Sequence, residues 1–333
     1  MNYIPEFISI TASSTPQLFS ITTKIPALNR CRIPRSRVIF DDYQKLRQIY
    51  SKPVDVTHEP LANFPLGYYE EFLKRLREMD VEIITYKDLF ARCNDWDYKR
   101  FYIDEYEAWN KRYRKSKKIY LLIQHDIDNY PEFTRRMVAL EALYGVKSNI
   151  FMFRDRYTKD NADSSYIVDH EFFKQAEHNG YVIGYHQNAF ALANFNMEAA
   201  VERYRTDVNY LRKFYNIEFV VPHGGVGKVI DGEKLHNVDV PMPEEFRLNL
   251  RWVFNRYGVK FSKKWSDGGL GKTRDPERIK SFDIVNEFLP KLERGYRYFC
   301  LIHPQRWGFN INRESNPLLA EEKWYRDICD SYL

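Results

Sequence analysis

From residue 119 onward the chain alternates short apolar runs with amphipathic stretches, and this alternation limits the fold more than any other feature. The run "IYLLIQ" (119–124) is almost continuously apolar, the mark of a strand buried on both faces. "PEFTRRMVALEALYG" (131–145) then reads as a helix, with Pro131 in its first turn and Gly145 at its end. Strands follow at 146–153, 181–186, 217–222 and 296–302, with a weaker one at 259–265. Helices fall at 169–180, 197–216 and 281–295, the last carrying Pro290. Strands alternating with helices predict βα units and an α/β fold, a distorted (β/α) barrel of parallel strands. Upstream, 68–80 places Phe72, Leu73, Leu76 and Met79 on one helical face, 81–86 is strand-like, and "KDLFARC" opens a short helix. Residues 1–66 read as an N-terminal arm or extension containing a helix at 42–50. The barrel itself is assigned to 67–333, with 94–118 as an insertion or linker.

Composition excludes several classes. The 333 residues are 44% apolar and 29% charged, as in an ordinary soluble globular protein. A net charge of +5 is mild at this length. The one basic run, "KRYRKSKK" (111–118), reads as a solvated linker, so no nucleic-acid partner is expected. Cys31, Cys93, Cys300 and Cys329 are scattered and form no Cys-x-x-Cys pair, which excludes a zinc knuckle or a disulfide framework and fits reduced thiols. No stretch is long and apolar enough to span a bilayer. The N-terminus lacks a basic segment followed by an apolar run, so the expectation is a cytoplasmic protein. Nothing in the sequence sets an oligomeric state.

In parallel α/β folds ligands bind at the carboxyl ends of the strands. Here five strand ends deliver acids or imidazoles: His125, Asp126 and Asp128; His186; His223; Ser266 and Asp267; His303. Taken singly, each has an ordinary structural reading as a helix cap, a core imidazole or a turn. Their joint placement at one end of one sheet points to a shared metal or acid/base site. Carboxylate and imidazole without thiolate suit one divalent ion, Zn²⁺ first, with Co²⁺, Ni²⁺, Mn²⁺ or Fe²⁺ as alternatives. One Asp and two His leave coordination positions open, as a catalytic site requires.

The ordered series "QHDID", "IGYH", "VPHGG", "SDGG" and "LIHPQRW" resembles the polysaccharide deacetylases of the NodB-homology type, carbohydrate esterase family 4, in a divergent branch with a His-Asp-x-Asp first motif. The resemblance spans about residues 67–310. It implies metal-dependent removal of an N-acetyl, less often an O-acetyl, group from a sugar. It further implies Asp126 as general base, Asp128 and His186 as metal ligands, His303 as general acid, and Asp267 orienting His303. Two departures stand out. The second histidine of the metal motif falls at 190, which is Phe190, so His223 is taken as the substitute ligand; Asp128 and His186 completed by waters is the other option. The arginine that this family sets beside the base is also missing from its motif, and Arg154 is a candidate replacement. "VIFDDY" (38–43) looks like a family opening but lacks the following glycine, so Asp41 and Asp42 are read as helix-start acids.

The substrate expectation is a nucleotide-sugar or a polysaccharide intermediate of surface glycan (capsule or O-antigen) assembly. Trp265 and Trp307 read equally as sugar platforms or as core aromatics. Three other readings stay open: a site without metal, a non-hydrolytic sugar-binding protein on this fold, and a metal-dependent amidase for a non-carbohydrate amide.

Overall fold

The computed structural model describes residues 66–91, 117–129, 131–155, 166–224, 227–240, 246–253, 261–268, 279 and 284–307. The arm at 1–65, its helix at 42–50 with Asp41 and Asp42, most of the 94–118 segment and the last 26 residues lie outside the described residues.

Eight parallel strands form one sheet. In chain order they are β1 (Val81–Ile83), β2 (Ile119–Ile127), β3 (Asn149–Met152), β4 (Val182–Gln187), β5 (Phe219–Pro222), β8 (Arg251–Trp252), β9 (Lys263–Ser266) and β10 (Arg297–Ile302). A separate antiparallel hairpin joins β6 (Lys228–Ile230) to β7 (Glu233–Leu235). The spatial order is β8-β5-β4-β3-β2-β10-β9. The nine-residue strand β2 is central. One of its edges takes β10, and the other takes β1 along residues 119–121 and β3 along 124–127.

Side chains alternate across this sheet. Ile119, Leu121 and Ile123 face a cluster with helix α1 (Leu66–Glu78) and helix α3 (Pro131–Leu143). Ile150, Ile183, Tyr185 and Val220 face a second outer cluster, with helix α4 (His170–His178) and helix α6 (Met197–Leu211). Tyr120, Leu122, Phe151, Val182, Phe219 and Val221 point to the opposite, inner face. That inner cluster also takes Val253, after β8, and Phe261, before β9. One cluster drawing on both edges requires the sheet to curl, and β8 and β9 do not pair among the described residues. The result is a (β/α) barrel left open along one side. Helix α2 (Tyr86–Ala91) packs Tyr86, Leu89 and Phe90 into this interior. Thr85 and Asp88 start it reciprocally: the Asp88 carboxylate accepts from Thr85 N–H (2.8 Å), and the Thr85 hydroxyl accepts from Asp88 N–H (3.2 Å).

Several element boundaries differ from the sequence reading. Strand β1 stops at Ile83 because the Thr85–Asp88 box begins α2. Strand β2 runs three residues further than "IYLLIQ", so His125 and Asp126 lie within it. Within the predicted helix at 281–295, the described residues form a single π turn (Ile284–Phe288) followed by a 3₁₀ turn (Leu289–Lys291). Pro290 lacks an N–H and clashes with the preceding turn, which ends regular helix there. The hairpin β6–β7, strand β8 and the one-turn helix α5 (Ala189–Leu192) had no clear sequence signal. Among the described residues no helix is long and apolar enough to cross a membrane.

Gly184, on the inner face of β4, sits at a tight point of the core. A Cβ there would lie 2.3 Å from Cε1 of the Phe151 ring and 3.0 Å from the Phe219 carbonyl oxygen. Gly184→Ala is therefore expected to destabilise the fold by about 1–3 kcal/mol, the usual cost of overpacking a core. Urea unfolding of both proteins measures it, and equal midpoints would refute it.

Candidate metal centre and active site

The inner-face parity of three strands sets the site. Gln124 and Asp126 follow Tyr120 and Leu122 on β2. His186 follows Val182 and Gly184 on β4. His223 follows Phe219 and Val221 just past β5. Asp128 lies beyond the end of β2, where its N–H donates to the Asp126 carbonyl (3.1 Å). This tight turn brings the Asp128 carboxylate beside that of Asp126.

Asp128, His186 and His223 each present one ligand atom, all within 4.8 Å of one another. His186 Nε2 is 3.2 Å from Asp128 Oδ1 and 3.8 Å from Asp126 Oδ2. His223 Nε2 is 3.6 Å from Asp128 Oδ1. The Nδ1 of His186 lies 3.3 Å from the Val221 carbonyl, the outer partner that a ligating imidazole needs. With Nδ1–H given to that carbonyl, Nε2 carries the lone pair. Asp128 Oδ1 is buried, with His186 Nε2 and His223 Nε2 as its close side-chain neighbours. With both imidazoles neutral, three electron-rich atoms converge on one point, a donor set that fits a divalent cation. Phe153 walls this point, stacked on His186 (4.9 Å, 17°) and edge-on to His223 (5.3 Å, 88°).

Protonation follows from burial and neighbours. Burial pushes the Asp128 carboxyl up, but the imidazoles of His223, His186 and His303 outweigh it and hold it below the usual carboxylate range. Burial lowers His223 to about 4 against the pull of Asp128, so its imidazole is neutral at pH 7, as a ligand must be. Burial disfavours charge on His186 too, yet Asp126 and Asp128 raise it above its ordinary value. Burial raises Asp126, and the imidazoles of His186 and His303 only partly offset it.

His303 faces this group from the end of β10. Its Nε2 is 4.0 Å from Asp128 Oδ2, and its Nδ1 is 2.6 Å from Asp267 Oδ1. Asp267 also accepts from the His303 backbone N–H (2.7 Å) and the Trp307 indole N–H (2.8 Å). Burial lowers His303, but Asp267 outweighs it and pushes the imidazole up to about 9.

The structure thus brings together Asp126, Asp128, His186, His223, Asp267 and His303. It removes others. His125 faces the outer side of β2, where its Nε2 is 2.7 Å from the buried Glu141, which also accepts from Tyr69 (2.5 Å) and Ser148 (2.7 Å). Only alternate residues of a strand share a face, so His125 and Asp126 cannot both point inward. Arg154 is not the partner of Asp126: it reaches Asp207 (3.5 Å) and Asp155 (3.7 Å) and lies over the Tyr210 ring. Trp265 and Trp307 are fully buried, so the core reading is the correct one. Two further side chains touch the site. Gln124 donates to Asp126 Oδ1 (2.7 Å), and Gln305 donates to Asp128 Oδ2 (3.2 Å). Gln124 shares the parity of Asp126 in "QHDID"; Gln305 had no signal beyond lying two residues after His303.

No family model and no curated protein matches the chain. Among solved structures, it is similar to a point mutant of the peptidoglycan deacetylase PdaC from Bacillus subtilis, with TM-score 0.34 and 14% identity over 66% of this chain and 86% of that one. It is also similar to a family 4 carbohydrate esterase from Bacillus anthracis, with TM-score 0.31 and 12% identity over 72% of this chain and 91% of that one.

Proposed function

We propose that this chain is a metal-dependent deacetylase that hydrolyses an N-acetyl group on a sugar. One observation carries the reading: the Asp128, His186 and His223 ligand atoms, within 4.8 Å of one another, are flanked by a buried carboxylate outside the triad, Asp126, 3.8 Å from His186, and by an imidazole paired with its own carboxylate, His303 with Asp267 at 2.6 Å. Hydrolysis of an amide needs a base on one side and an acid on the other, because an amine leaves only when protonated. Asp128, His186 and His223 would hold the cation, with Zn²⁺ the first candidate for this donor set. When bound, a divalent cation supplies Lewis-acid chemistry, polarising a carbonyl and making water a nucleophile near neutral pH.

The side chains supply the proton transfers. Asp126 Oδ2 takes a proton from the attacking water. His303 Nε2 gives its proton to the leaving nitrogen as the amide C–N bond breaks, releasing acetate and a free amine. Asp267 keeps His303 charged and turns its Nε2 toward the site. Surface-glycan intermediates such as nucleotide-sugars remain the substrate class proposed here.

The test is acetate release from N-acetylated sugars, including nucleotide-sugars, by protein stripped of cations and then reloaded with Zn²⁺, Co²⁺ or Mn²⁺. Release only after reloading supports the reading; no release with any of them overturns it. A second result concerns Asp267→Asn. Loss of its negative charge lowers the His303 pKa, and an acid works only below its pKa. The alkaline limb of the kcat/KM profile is therefore expected to move to lower pH by about 1–3 pH units. An unmoved limb would remove Asp267 from this role.

A further inference from the structure

The floor of the site is a chain of three buried side chains. The Tyr86 hydroxyl donates to Gln124 Oε1 (2.8 Å), and Gln124 Nε2 donates to Asp126 Oδ1 (2.7 Å). Its direction is set by chemistry. An ionised carboxylate only accepts, so the amide must turn its NH₂ toward Asp126. The amide oxygen then faces Tyr86, which can donate to it.

Tyr86 has little freedom to do otherwise. Its backbone N–H donates to Asn149 Oδ1 (2.8 Å), and Asn149 Nδ2 donates to the Ile123 carbonyl (2.8 Å). Its ring packs edge-on against Phe151 (5.9 Å) and lies 5.7 Å from Phe219. Helix α2, packed into the barrel interior, thus reaches the Asp126 carboxylate through a single amide.

We propose that Gln124, oriented by Tyr86, is the positioning residue of the base. By occupying Asp126 Oδ1 it leaves Oδ2, the oxygen on the His186 side, to take the proton. Gln124 and Tyr86 themselves exchange no proton: the water O–H bond breaks, the Oδ2–H bond forms, and the amide only fixes which oxygen receives it. A carboxylate free to rotate would spend part of its time with neither oxygen aimed at the water, and misplacement of this kind is costly in rate. This inference rests on the deacetylase reading above.

The test uses Gln124→Met, which keeps the unbranched shape and removes the amide, together with Tyr86→Phe and the double variant. Gln124→Met is expected to lower kcat about 10- to 100-fold, the worth of a buried hydrogen bond to a charged group. KM should stay within about twofold, because the loss falls on the transition state alone. Cation content should not change. Tyr86→Phe should lower kcat by a smaller factor, about 2- to 10-fold. The double variant should be no slower than Gln124→Met, since Tyr86 acts only through the amide.

A wild-type kcat in Gln124→Met overturns the proposal, and so do single losses that multiply in the double variant. If Gln124→Met gives no cooperative melting, Tyr86→Phe decides alone, and an unchanged kcat there overturns it. Asp126→Asn run in parallel separates the two readings. An inactive Asp126→Asn beside a fully active Gln124→Met defeats only the positioning role, whereas a fully active Asp126→Asn defeats the deacetylase mechanism itself.

Discussion

Asp126→Asn is expected to lower kcat by about 10²–10⁴-fold, the range for a general base, while the protein keeps its cation. The amide is nearly isosteric with the carboxylate but cannot take a proton from water. Asp126 stands outside the triad: its Oδ2 is 3.8 Å from His186 Nε2, and its Oδ1 is taken by Gln124. Loss of turnover without loss of metal is the signature that separates a base from a ligand. His303→Ala should fall in the same range for the complementary reason, loss of the proton donor. Acetate release and elemental mass spectrometry on the same preparations read both quantities. Full activity in Asp126→Asn would defeat the proposed deacetylase mechanism.

The second large effect concerns the triad. His223→Ala and Asp128→Ala are each expected to lose the cation and with it turnover, by on the order of 10³-fold or more, since Lewis-acid stabilisation is worth several kcal/mol. His223 is the more informative of the two. Its imidazole, lowered to about 4, is neutral at pH 7, and its Nε2 points at the same carboxylate oxygen as that of His186. About one divalent ion per chain in the wild type and none in His223→Ala would establish an Asp-His-His ligand set. Metal retained in His223→Ala would instead favour Asp128 and His186 completed by waters. His223→Ala also removes one of the imidazoles that hold Asp128 below the usual carboxylate range, and Asp128→Ala removes that carboxylate, so the thermal midpoint of each variant should be measured beside its metal content.

How far the site could be read beforehand differs from residue to residue. Asp126, Asp128, His186 and His223 were legible because each closes an apolar run, and strand ends in parallel folds gather ligands. His125 was misread with them, although parity forbids it to share a face with Asp126. The sequence could not say which of the two faced inward, because all nine residues of β2 are buried and both faces are lined by apolar side chains. Gln124 was overlooked for the same reason. Arg154 is a candidate from the sequence because it follows the strand "NIFMF", but beyond β3 the backbone carries it toward α6, where Asp207 takes it. The helix at 281–295 was read from its apolar spacing, and Pro290 overrode that pattern.

The local chemistry of the sequence determined the alternation of strands and helices and the residue types that end each strand. Burial on both faces and the helical period are properties of neighbouring residues, so they are written into short stretches of chain. The tertiary structure alone decided which parity faces the barrel interior, that helix α2 packs into that interior to hold Gln124, and that residues 58 to 177 positions along the chain from Asp128 meet around it. Those choices depend on register, sheet curvature and the competition between helices and the interior for each buried face, which are set by contacts far apart in the chain.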